Sequence, residues 1–159
     1  MKVASIHEIK QELSTLPPGE LVELCLRLAK FKKESKELLT YLLFESHSLD
    51  GYMASVKEFI ALEFDGLGTG NLYFAKKTLR KILRITNKHI RFTGSKQAEV
   101  ELLLFFCGKM RRSGIKMEKS VQLVNLYTQQ LRKIEKALET LHEDLQYDYR
   151  RQLDNLTFV

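Results

Sequence analysis

The sequence has little that would interrupt a helix. Its two prolines, Pro17 and Pro18, are neighbours, so proline limits helices at one place only. Alternating runs of β-branched residues are missing, and no Asn-Gly or Asp-Gly turn sits between such runs, so strands and hairpins have no support. Long apolar runs are missing too. The longest, LLLFFC over 102–107, is far short of the roughly 20 residues of a membrane span. The opening MKVASIHEIKQELS holds no apolar core of signal-peptide length. Cys25 and Cys107 are the only cysteines. Both fall in apolar helical patterns and read as buried free thiols of a reducing compartment, with no disulfide required. These absences point to a cytoplasmic protein without a membrane partner.

Acid is missing from one long stretch. Between Asp65 and Glu99 there is no carboxylate, while Lys76, Lys77, Arg80, Lys81, Arg84, Lys88, Arg91 and Lys96 place eight cations there. The formal charge of +6 comes from this segment alone, because the rest of the chain sums to −2.

What is present fits one globular domain over 1–159. Apolar residues make up 44 % of the 159 and are spread along the chain, enough for a core and too many for disorder. Ser5 and Glu8 form a capping box at the first helix, which presents Ile6, Ile9 and Leu13. Pro17 and Pro18 break it and start a second helix expected to bury Leu21, Leu24, Cys25 and Leu28. Ser35 is placed to cap a third helix, in which Leu38, Leu39, Tyr41, Leu42, Leu43 and Phe44 are apolar nearly all round; such a helix is usually central. A fourth turns Met53, Val56, Phe59, Ile60 and Phe64 inward. A glycine-rich loop, DGLGTGN, separates it from the basic fifth. Ser95 caps a sixth, KQAEVELLLFFCGKMRR, stopped by Gly114 in left-handed conformation. Val121, Val124, Leu131, Ile134, Leu138, Leu141 and Leu145 extend a long last helix from Met117 to about Leu153. The sum is an all-α domain of about seven helices, packed as successive antiparallel hairpins around the third and sixth. A HEAT-like or armadillo-like solenoid stays open, although no clean repeat period shows.

The fifth helix carries the strongest chemical signal. At 100° per residue, Leu72, Ala75, Leu79, Ile82, Leu83, Thr86 and Ile90 share one arc. Lys76, Lys77, Arg80, Lys81, Arg84, Lys88 and Arg91 fill the opposite arc, with Tyr73 among them. A cationic stripe about 22 Å long with an aromatic suits a nucleic-acid or other polyanion surface. The competing reading is a solvated face neutralised by Glu58, Glu63 and Asp65 on the fourth helix, or by Glu135, Glu139, Glu143, Asp144 and Asp148 on the last.

Other motifs are weaker. GLGTGN lacks the Gly-Lys-Ser/Thr ending and the preceding strand of a phosphate loop, and reads as a flexible turn. NLYF resembles part of a protease tag site, but Ala75 and its mid-chain position make it native. Glu139 and His142 match one Glu-x-x-His element of di-iron bundles without the second copy. The cysteines lack a histidine at readable spacing, and no G-x-S-x-G elbow occurs. No catalytic residue, metal ligand or cofactor is indicated.

The stretches LRKILRITNKHIR, EVELLLFFC and LPPGELVELCLRLAKFKKESKELLTYLLFE together resemble a group of uncharacterised small all-helical bacterial proteins. The resemblance implies a bacterial, cytoplasmic, all-helical protein and transfers no activity or site residue. The expected function is a non-enzymatic helical domain that binds a protein partner, with nucleic-acid binding through the basic helix as the alternative. The final helix and the terminal Leu156, Phe158 and Val159 dock on the same chain or, alternatively, make a homodimer.

Overall fold

The structure, a computed structural model, describes residues 1–157. It is all-helical, with eight α-helices and no strand among the described residues. Among the described residues, no helix is long and apolar enough to cross a membrane. The chain divides into two compact units, Met1–Glu45 and Ser46–Val159.

The first unit holds α1 (Ile6–Leu13), α2 (Pro18–Phe31), α3 (Lys33–Thr40) and a π-turn over Tyr41–Glu45. The Ser5–Glu8 capping box forms, with the Ser5 amide donating to Glu8 Oε2 at 2.7 Å. Three details depart from expectation. Extended backbone at Lys32 starts α3 two residues before Ser35, without a side-chain cap. The leucine-rich segment is not central, since Tyr41 alone is buried while Leu42, Leu43 and Phe44 are 53–66 % exposed. Leu24, Cys25 and Leu28 of α2 are exposed as well, so only one of the two thiols is buried. The reason is size: three helices of 8, 14 and 8 residues have too little facing surface to cover an apolar helix on several sides.

The second unit is built on α6 (Lys96–Arg112), against which α4 (Leu49–Asp65), α5 (Leu72–Thr93), α7 (Val121–Leu138) and α8 (Glu143–Thr157) all pack. This central place follows from its composition. Val100, Leu102, Leu103, Phe106, Cys107 and Met110 point in several directions around the axis and are all fully buried. Phe106 meets Phe64 of α4 edge to face at 5.6 Å. Gly94 (φ 59°) and Gly114 (φ 82°) take the left-handed conformation just beyond α5 and α6, where a side chain would be strained.

The long last helix of the sequence reading is instead two. A 3-10 turn over Met117–Lys119 precedes α7, which Ser120 caps, and residues 139–142 break the chain before α8. No proline or glycine causes the break. Packing does, because a rod of some 37 residues, about 55 Å long, could not return to cover α6. Local bonds compensate: Thr140 Oγ1 donates to Ala137 O (2.7 Å), Gln146 Nε2 to Leu141 O (2.7 Å) and the Asp144 amide to His142 Nδ1 (3.3 Å). At the far end Leu156 is buried, and Tyr127 donates to its carbonyl at 2.7 Å. Leu156 thus docks within the unit, whereas Phe158 and Val159 lie outside the described residues.

One buried polar group is imperfectly satisfied. Gln130 of α7 is 2 % exposed; its amide nitrogen donates to Leu126 O at 3.1 Å, but Oε1 has no partner among the described residues. Gln130→Met, which keeps the volume and removes the orphan acceptor, is expected to raise stability by about 1 kcal/mol in urea unfolding. A loss of similar size would show that the amide is satisfied by water.

Candidate binding surfaces

Helix α5 is two-sided as its pattern demands. Ala75, Leu79, Ile82, Thr86 and Ile90 are buried, and the Thr86 hydroxyl is satisfied by Ile82 O at 2.8 Å. Of the seven candidate cations, Lys77, Arg80, Lys81, Arg84 and Arg91 are exposed, and Lys76 and Lys88 are half-buried. The expected acids mostly lie elsewhere. Glu63 reaches this face, 3.4 Å from Lys81. Lys76 donates to the neutral Gln122 at 2.8 Å, Glu135 lies 4.0 Å from Arg150, and Asp144 is beside His142. Lys77, Arg80, Arg84 and Arg91 have no carboxylate partner among the described residues. At the head of the helix, Tyr73 and Phe74 are 67 % and 61 % exposed and meet edge to face at 5.4 Å.

The glycine-rich loop before α5 is closed to the phosphate role. Asn71 caps the helix, its Oδ1 accepting from the amides of Tyr73 (2.9 Å) and Phe74 (3.4 Å). Those amides are the ones an anion would need.

A second feature was not foreseen. Helices α4, α6 and α8 enclose a cleft of about 500 Å³ lined by Lys57, Glu101, Phe105, Arg112, Asp148 and Tyr149, among others. Lys57 donates to Glu101 Oε1 at 2.6 Å, Tyr149 to Glu101 Oε2 at 2.8 Å, and Gln97 to the Tyr149 hydroxyl at 3.2 Å. Burial pushes the Tyr149 hydroxyl up to about 12, so it stays a donor at neutral pH. The carboxylate is thus held by two donors, a structural tie between three helices. Partners 44 and 48 positions apart leave no trace in local spacing.

The third feature is the surface of residues 1–45. Ile6, Val22, Leu28, Phe31, Leu43 and Phe44 are each more than half exposed. Fourteen of the twenty exposed large apolar side chains among the described residues fall in this unit, which is under a third of the chain. On α2 they form two strips, Leu24, Leu28 and Phe31 on one side and Val22 and Leu26 on another. Glu20, Glu23, Arg27 and Lys30 share the narrow arc between them.

Glu139 and His142 do not share a helical face, because the chain breaks between α7 and α8 at these residues. No group of three or more histidine, cysteine, aspartate or glutamate side chains could hold a metal among the described residues. No protein-family profile matches the chain, and no curated protein or solved structure matches it.

Proposed function

We propose that the protein is a non-enzymatic helical interaction domain of the cytoplasm that binds a protein partner through the apolar surface of residues 1–45. The observation that carries this reading is the near absence of burial there: α1, α2 and α3 contain no buried residue, yet they display leucine, isoleucine, valine and phenylalanine on several faces. Water-exposed apolar surface of this extent is rare on a monomer and marks an interface. At about 25 cal/mol per Å², covering it supplies the driving force for association. The charged arc of α2 would lie at the rim, where it sets register more than affinity.

The test uses the full chain. Sedimentation and in-cell cross-linking are expected to find it in a complex. The triple variant Leu28→Asp, Phe31→Asp, Phe44→Asp should release the partner and leave the melting of the second unit unchanged. A wild-type chain that stays monomeric, cross-links to nothing and fails to bind a hydrophobic dye would refute the reading.

A further inference from the structure

Helix α5 offers a second surface, independent of the first. We infer that its exposed face binds single-stranded nucleic acid, with cations following the phosphates and Tyr73 and Phe74 stacking on bases. Three features of this face combine. First, Tyr73, Lys77, Arg80, Arg84, Lys88 and Arg91 fall within an arc of about 80° and run some 27 Å along the axis, nearly one cation per turn. Second, Lys77, Arg80, Arg84 and Arg91 are exposed and have no carboxylate partner among the described residues, while Glu63 reaches this face at Lys81. Third, the stripe begins at two exposed aromatic rings set edge to face, so both cannot lie flat against the protein.

The aromatic pair decides between polyanions. A duplex, heparin or an acidic protein segment would use the cations alone, leaving two large rings in water for no return. A single strand presents free base faces, and stacking on an exposed ring tolerates any sequence. Arginine adds to this, because its planar guanidinium stacks as well as pairs with phosphate. An anionic membrane is disfavoured by the make-up of the stripe, whose exposed residues between Lys77 and Arg91 are cationic, with no apolar wedge among them.

Fluorescence anisotropy with a labelled single-stranded oligouridylate, a duplex of the same length, heparin and phosphatidylserine vesicles tests the proposal. The single strand should bind at low salt. With about six phosphates engaged, its affinity should fall on the order of 10²- to 10³-fold between 50 and 200 mM salt. Arg80→Glu with Arg84→Glu should abolish binding of the strand and of heparin alike. Tyr73→Ala with Phe74→Ala should weaken the strand on the order of tenfold and spare heparin. All four positions are exposed, so unchanged thermal melting is expected to show that the variants fold. No binding at low salt, equal binding of duplex or vesicles, or indifference to the aromatic pair would each overturn the proposal. A supporting check comes from purification: with six tyrosines and no tryptophan, co-purifying nucleic acid would dominate the ultraviolet spectrum until a high-salt wash removed it.

Discussion

Phe106→Ala is expected to lower the unfolding free energy by about 3–5 kcal/mol. The side chain is fully buried at the middle of α6, the helix against which α4, α5, α7 and α8 pack, and its ring meets Phe64 edge to face. Deleting it removes transfer energy and leaves a void beside Phe64 in a closely packed core. The neighbouring Phe105 is the control. It is half-buried in the cleft, with the Lys57 and Lys109 ammonium groups 5.8 and 5.6 Å from its ring centre. Phe105→Ala should cost distinctly less, because those flexible side chains can settle into the space. Urea unfolding of the second unit measures both. Equal losses would mean that α6 does not organise the core as its burial indicates.

The second large effect concerns the two thiols. In the native protein at mildly alkaline pH, a disulfide reagent should modify one cysteine readily and the other hardly at all. Cys25 is exposed on α2; Cys107 is fully buried in α6, and burial pushes its thiol up to about 12. A thiol raised this far above its ordinary value forms far less thiolate, and steric exclusion adds to that. Both thiols should react once the chain is unfolded. The same shift sets a pH dependence. Between about 9 and about 12 the unfolded chain loses the Cys107 proton while the folded chain keeps it, so stability is whole below this window and falls as pH rises through it. Tyr149, also pushed up to about 12 by burial, acts in the same direction above the ordinary phenol value of 10. Cys107→Ala should flatten the alkaline limb of a stability curve. Two equally fast thiols, or an unaltered limb, would contradict this account.

For α5, with one face apolar and the other charged, the amino-acid order was enough. Helix α5 buries the arc that its spacing marks, and Gly114 takes the left-handed conformation expected of it beyond the sixth helix. The sixth segment could be recognised as central because apolar residues surround its axis. The same signal misled for Leu38–Phe44, which is apolar all round yet exposed over most of its length. Periodicity reports what a segment would bury if covered, and says nothing of whether enough surface lies nearby to cover it.

Helix content, the inner and outer arcs of α5 and the excess of cations over one stretch were determined by the sequence alone, since each depends on residues within a turn or two of one another. Tertiary structure decided the rest: the break between α7 and α8, the Lys57–Glu101–Tyr149 tie, and which carboxylates would reach the basic face. The last two depend on groups 18 to 48 positions apart, brought together by packing between helices. Only that packing leaves Arg80 and Arg84 exposed and without a carboxylate partner among the described residues.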